Sequence, residues 1–413
     1  MHHGSAGAWL SRVVKVGLSV VTDGLALRRN IVVLSLAICC VGLGEELWAR
    51  FLPKYLEALG AGVFAIGAFG TLQELLEGLY PYPGGVLADR WGRKRALATF
   101  NLLALVGYGV YLVSPSWPFV FVGLGFTMAW SSLALPATFA LIGDSLPPER
   151  RAMGFTVQSI LKRMPTVLAP PLGGLLIGSL GLVAGVHVGL AVTLVLGTLS
   201  LLVQHRFYVE APVAARPASI ALRDTLRALP AGLKRLLLVE SIVRTGQGLA
   251  EIFVILYVIN VLGLSAATFG TLVALRMATS ILVYIPVATL ADRRGRTPFV
   301  VLSFLCFALF PFLLASAQGP VGLIAAFVCA GLREIGEPAR KAMIVDLADA
   351  AQRGRMVGVY YFTRGLVVMP ASLVGGMLWR LDPQTPFFVA AGVCLLGLVL
   401  LLVGSRSGMA STE

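Results

Sequence analysis

Gly85-Val86-Leu87-Ala88-Asp89-Arg90-Trp91-Gly92-Arg93-Lys94-Arg95 reads as a short basic turn with an apolar run on either side. A degenerate copy, Thr289-Leu290-Ala291-Asp292-Arg293-Arg294-Gly295-Arg296, lies 203 residues further on. Other pairs keep nearly the same offset: Leu59-Gly60 with Leu262-Gly263, Pro136-Ala137 with Pro338-Ala339, and Gly173-Gly174 with Gly375-Gly376. One match is chance, but several in order at 202 or 203 residues mark a duplication. The chain is built from two copies of one unit.

The runs that flank these turns are about 20 residues long, enough to cross a hydrocarbon core as helix. The 413 residues are 57% hydrophobic and 13% charged, with a mean hydropathy of +0.87. Soluble chains carry about 25% charge, so a water-soluble enzyme is excluded. The formal charge of +13 comes from 33 Lys and Arg against 20 Asp and Glu. Those cations gather in alternate loops, which is a topology signal and not a nucleic-acid surface. The basic loops hold Arg90–Arg95, Arg150–Arg151, Arg206–Lys234, Arg293–Arg296 and Arg353–Arg355, and both ends of the chain are basic as well. Both termini are therefore expected in the cytoplasm. Absence of any Asn-x-Ser/Thr sequon fits a bacterial inner membrane.

The pattern predicts an all-α membrane protein with twelve transmembrane helices in two pseudo-symmetric six-helix bundles. The spans fall near 30–58, 62–88, 95–114, 117–143, 153–178 and 182–203, then 235–261, 265–290, 298–317, 320–347, 355–379 and 385–404. Residues 1–29 form a cytoplasmic N-terminal segment, 30–203 the first bundle, 204–234 a basic cytoplasmic linker, 235–404 the second bundle and 405–413 a cytoplasmic tail. Pro81, Pro83, Pro165, Pro170 and Pro171 are expected to bend their helices. Cys39, Cys40, Cys306, Cys329 and Cys394 all lie inside apolar runs, with neither disulfide nor zinc spacing. No phosphate-binding glycine loop and no His/Asp/Ser constellation occurs. Neither catalysis nor a cofactor or metal is expected.

The Gly85–Arg95 stretch, its copy before span nine, the twelve spans and the central linker resemble the major facilitator superfamily of transporters, over essentially the whole chain. The resemblance implies gating roles. Gly85, Asp89, Arg90, Gly92 and Arg93 would form the first signature loop, with Asp89 facing the N-terminus of span eleven and Arg93 paired with an acid at the end of span four, here Asp144. Arg151 belongs to the loop between spans four and five, and Asp292, Arg293 and Arg296 repeat the signature in the second half. Together these contacts would lock the cytoplasmic side. Ala169-Pro170-Pro171-Leu172-Gly173-Gly174 resembles the Gly-Pro-x-x-Gly-Gly motif of drug:proton antiporters, with Ala at the first position. The span-four Arg of that branch is absent, since Gly123–Met128 holds no cation.

Ionisable residues divide the spans. Spans three, six, nine and twelve carry none between their ends, while span one has Glu45, Glu46 and Arg50, span two Glu74 and Glu77, and span five Lys162 and Arg163. Span seven has Arg244 and Glu251, span eight Arg276, span ten Arg333, Glu334 and Glu337, and span eleven Arg364, one turn from Tyr360. A charge near the bilayer midplane costs roughly 2.5–3.5 kcal/mol even on the lenient scale. These groups must pair or face water, and a wet central cavity lined by the charged spans meets both needs. Acids and bases balance, which argues against a net-anionic site for lipophilic cations. The expected cargo is a small anionic or zwitterionic organic solute, anchored by Arg50, Arg244, Arg276, Arg333 or Arg364. Burial favours a neutral carboxyl, so Glu45, Glu46, Glu74 or Glu77 could carry a coupling proton.

The function expected from sequence is secondary active transport by alternating access, with proton-coupled export of that solute by a monomer in the bilayer. Uptake by symport or uniport, lipid transport, and a non-transporting receptor of the same fold are the alternatives.

Overall fold

In the computed structural model, residues 29–134, 138, 148–207, 226–348 and 353–408 are described. Among them the helices fall into twelve consecutive segments, and there is no strand. Span one runs through Arg29–Glu46, a turn, a 3₁₀ turn at Ala49–Phe51 and Leu52–Ala58. Span two is Val63–Leu79 followed by Pro81–Trp91. Span three is Arg93–Val113, span four Trp117–Met128 with a π turn at Ala129–Leu133, span five Pro148–Leu180, and span six Leu182–Phe207. In the second half, span seven is Ala231–Ala250 continued by a 3₁₀ turn at Glu251–Phe253 and a π turn at Tyr257–Val261. Spans eight and nine are Ala266–Arg294 and Thr297–Ala315. Span ten is Gly319–Leu332, a 3₁₀ turn at Arg333–Gly336, and Glu337–Leu347. Span eleven is Arg353–Val368 with Ala371–Trp379, and span twelve Thr385–Gly408. Eight of these stretches are long and apolar enough to cross a membrane unaided. In spans one and two a backbone break shortens the continuous helix.

Each half repeats the other in backbone detail. Gly60 and Gly263 hold φ of +90° and +67°, and Gly92 and Gly295 hold +84° and +85°. That region is open to glycine and costly for other residues, which explains why these positions survive in both copies. The 3₁₀ turns at Ala49–Phe51 and Glu251–Phe253 are 202 residues apart. Tyr55 donates to the Tyr111 carbonyl and Tyr257 to the Ala315 carbonyl, both at 3.2 Å. Spans one, four, seven and ten, the first of each group of three, are all irregular near their middle. Irregular backbone at membrane depth is tolerated where it is buried in protein or borders a cavity.

Helix contact follows the small residues. A Cβ on Gly173 would lie 1.9 Å from the Leu47 carbonyl oxygen, and one on Gly375 would lie 2.1 Å from that of Leu249. These hold span five to span one and span eleven to span seven. Gly67 abuts the Ser372 carbonyl and Gly270 that of Pro170, joining spans two and eleven and spans eight and five across the halves. Small residues allow such backbone approach where lipid supplies no hydrophobic driving force. Spans six and twelve pack on the spans of their own half and turn Val195, Leu202, Leu396 and Val403 outward, as a lipid-facing surface does.

Pro81 opens the second helix of span two, and Pro165, Pro170 and Pro171 lie inside one continuous helix, Pro148–Leu180. The close glycine contacts on both sides of that helix hold it in place despite the missing N–H donors.

Gly173→Ala and Gly375→Ala should each destabilise the protein by about 1–3 kcal/mol, the usual range for overpacking. Gly178→Ala, which meets nothing within 4 Å, should not. Thermal denaturation in detergent separates the two outcomes.

Candidate functional site

A cavity of about 400 Å³ lies between the halves, lined by spans one, two, seven, eight, ten and eleven. Arg50, Glu74, Glu77, Arg244, Glu251, Arg276 and Arg364 reach it, together with Gln73 and Gln247. Spans four and five were expected to share this lining, and neither contributes to it. In span four the Trp130 and Ser132 side chains are buried, and the span-five cation Arg163 is engaged elsewhere.

On the wall of the second half, Glu251 sits at the 3₁₀ break of span seven and takes two cations. Arg276 of span eight approaches it to 2.5 Å and Arg333 of span ten to 3.1 Å. Gln247 links Glu251, at 3.5 Å, to Arg244, at 2.8 Å. Behind this layer Glu240 is fully buried. It accepts from Arg340 at 3.0 Å and Arg364 at 2.7 Å, lies 3.8 Å from Arg244, and also accepts from the Tyr360 hydroxyl. Glu337 receives Arg244 at 3.4 Å, Lys341 at 3.0 Å and Arg340. Three carboxylates thus serve six cations. The Arg333 guanidinium lies over the Phe307 and Phe310 rings, at 5.1 and 4.8 Å from their centroids, a favourable use of the ring faces.

The first half is arranged otherwise. Glu46 holds Arg50 through two bonds of 2.8 and 2.9 Å and accepts from Thr166 at 3.0 Å. The Tyr108 hydroxyl donates to Glu45. Glu74 and Glu77 of span two have no cation at ion-pair distance among the described residues, although Glu74 is within electrostatic reach of Arg364 and Arg244. Arg163 crosses between the halves, donating to Ser280 at 2.6 Å and meeting Glu334 at 3.2 Å.

Several expected anchors therefore stand behind the cavity wall. Tyr360 is fully buried and bound to Glu240, Arg333 is 3% exposed between two rings, and Glu337 and Glu46 are held by their own cations. Each is out of the lining for one reason: a charge this deep is more stable paired than hydrated in isolation. Two groups were missed by the sequence reading, Glu240 and Arg340. Their signals were present, because Glu240 precedes Arg244 by one helical turn and Arg340 follows Glu337 by three residues.

One end of the cavity is closed. On the face that carries the Leu59–Gly62 turn, Asn260 donates to Glu57 at 2.9 Å and Lys54 donates to both. Phe51 of span one meets Phe269 of span eight edge-on at 5.6 Å just below. On the opposite face, Arg296 pairs with Asp346. This is the second-half counterpart, at offset 203 and 202, of the contact expected between Arg93 and Asp144. Asp144 lies outside the described residues, as do the side chains of Asp89, Arg93, Arg151, Asp292 and Arg293. Gly85 lies in the second helix of span two, Arg90 is exposed at its end, and Gly92 makes the turn that follows. Among the described residues no cluster of His, Cys, Asp and Glu could hold a metal ion.

Glu240→Gln should cost about 3–5 kcal/mol of stability, the range for breaking a buried pair, because it leaves Arg340 and Arg364 facing a neutral amide. Glu74→Gln, which breaks no ion pair, should leave the melting temperature unchanged in the same detergent assay.

Known proteins agree with this architecture. MJ1317, an uncharacterized MFS-type transporter of Methanocaldococcus jannaschii, is 22% identical over 385 residues, covering 91% of this chain and 95% of that protein. The multidrug resistance protein MdtH of Proteus mirabilis is 24% identical over 84% of this chain and 87% of its own. The crystal structure of a mutant of the nucleoside transporter NupG superposes with a TM-score of 0.73 over 93% of this chain and all of that one, at 14% identity. The family model of the Major Facilitator Superfamily matches residues 34–246 and 236–411. With both halves matched and the duplicated twelve-helix fold in place, the chain belongs to the Major Facilitator Superfamily.

Proposed function

We propose that this transporter works by alternating access and exports a small charged organic solute in exchange for protons. The observation that carries the reading is the charged cavity between the halves, closed at one face by polar contacts that join span one to span seven. A cavity that opens to one side at a time is what repeat-built carriers use. The basic loops support a cytoplasmic Arg296–Asp346 side, and on that reading the Lys54–Glu57–Asn260 contact shuts the outer side. Similarity to a multidrug resistance protein over most of the chain favours the export direction.

The proton carrier is sought among Glu45, Glu46, Glu74 and Glu77. Glu46 is the weakest choice, because protonating it breaks a two-bond bridge to Arg50. Among the described residues Glu45 has no cation at ion-pair distance; it accepts from the neutral Tyr108 hydroxyl, has Lys162 within electrostatic reach, and stands next to that bridge, at the break in span one. Taking up a proton there removes charge beside the Glu46–Arg50 pair, whose Arg50 lines the cavity. Asp89, Arg90, Arg93, Asp144, Arg151, Asp292, Arg293 and Arg296 keep the gating roles that the family resemblance gives them. Residues 30–203 and 235–404 act as the two moving bodies.

Two experiments test this. In proteoliposomes an imposed pH gradient should drive solute accumulation, and Glu45→Gln should abolish that accumulation while leaving solute exchange intact. Loss of both activities, or of neither, removes Glu45 from the coupling role. Separately, a disulfide between Glu57→Cys and Asn260→Cys should halt transport by holding the outer side shut, with recovery on reduction. Full transport by the crosslinked protein would rule out alternating access at this contact.

A further inference from the structure

The two walls of the cavity carry opposite surplus charge. On the second-half side three cations, Arg244, Arg276 and Arg364, line the cavity with one carboxylate, Glu251, and outside the lining Glu240 and Glu337 are in turn outnumbered by Arg333, Arg340 and Lys341. On the facing wall span two presents Glu74 and Glu77 with no cation at ion-pair distance among the described residues, although both line the cavity. Arg50 and Arg276, which line it too, are each held by a carboxylate of their own half. Arg244 and Arg364, 21% and 24% exposed, are held as well, but by Glu240 and Glu337, two carboxylates that they share with Arg340 and Lys341.

We infer that the cavity binds a zwitterion in one orientation, with its ammonium group against Glu74 and Glu77 and its carboxylate, phosphate or phosphonate against Arg244 and Arg364. A lone anion would satisfy the arginines and leave two carboxylates facing it across the cavity. A lone cation would satisfy span two and leave the second-half cations in excess of the carboxylates they share. A zwitterion offers a partner to both walls and adds no net charge to a partly enclosed space, where unpaired charge costs more than in bulk water. The volume of about 400 Å³ lies near the lower end for ligand pockets. It suits a compact solute with its charges several bonds apart. This assignment rests on the transport reading only for the movement of the ligand, not for its binding.

The test uses the full-length protein in detergent and in proteoliposomes. The probes are ω-amino carboxylates of increasing chain length, with the matching plain carboxylates and plain amines. Saturable binding should peak at one chain length, and either half-charged analogue should bind about tenfold to hundredfold more weakly, as loss of a charge-assisted contact implies. Glu74→Gln with Glu77→Gln should weaken the zwitterion to the level of the plain carboxylate and leave the carboxylate itself unchanged or tighter. Equal weakening of both probes would overturn the orientation. Equal exchange of a lone anion or lone cation with the zwitterion overturns the substrate class and leaves the transporter reading standing. Absence of exchange for all three classes counts against both. Movement of labelled phosphatidylethanolamine between leaflets, without binding of any soluble zwitterion, would place the same charge pair on a lipid headgroup and overturn the soluble assignment.

Discussion

Within span seven the Glu240 carboxylate is out of reach of solvent, and the groups around it come from its own helix and from spans ten and eleven. Left alone at that depth it would be among the least stable groups in the chain. With Arg340, Arg364, Arg244 and Tyr360 gathered on it, the same carboxylate ties three helices together and fixes the direction in which two arginines face the cavity. Glu251 repeats the device one layer forward, joining spans seven, eight and ten through Arg276 and Arg333. The second half is therefore cross-braced by charge. Because the Glu240 and Glu251 braces run within one half, that half can move as a body with them intact, while Arg163–Glu334 is a pair that crosses to the first half.

The first half reaches comparable packing by other means. Trp48 is buried against the Tyr108 and Tyr111 rings, with centroids at 5.9 and 5.5 Å, and donates to Thr193 at 2.9 Å. Glu46 and Arg50 pair along a single helix. Backbone symmetry between the halves is close, down to matched tyrosine bonds and matched glycine contacts, yet the charges around the cavity are not symmetric. Duplication explains the first fact. The second follows because a fold needs its helices to approach in the same places, whereas the walls of a binding cavity need only complement whatever lies between them.

Much of the fold was legible because it is written in residue spacing. Gly92 and Gly295 announced the turns, Gly173-Gly174 and Gly375-Gly376 the close helix contacts, and the charge-free spans the outer supports. Site residues were legible as a set and not as individuals. Sequence spacing shows that Arg333 and Glu337 share a helix face, but not that Arg333 turns away onto Phe307 and Phe310. It shows Tyr360 beside Arg364, but not that both bind a carboxylate 120 residues earlier in the chain. Such pairings depend on how helices from distant sequence are rotated about their axes. No periodicity within one helix carries that information. Glu240 and Arg340 were passed over because each lies toward one end of its span, where a charge ordinarily meets water.

Ion pairs concentrate within the second half, whereas contacts between the halves are mostly glycine faces, the Phe51–Phe269 rings and neutral or mixed hydrogen bonds such as Leu373 N–H to Thr71 and Asn260 to Glu57, with Arg163–Glu334 as an ion pair that crosses. Glycine faces meet through van der Waals contact and can slide or part with little change in solvation. Glu57 and Asn260 are themselves 203 residues apart, so they occupy equivalent positions of the repeat and meet at the pseudo-twofold axis. A contact on the axis closes one face with few bonds, and it can be opened by a small rotation of either half. Strong braces within each body and weak ones between them are the mechanical condition for two rigid bodies to exchange which face of a shared cavity is open.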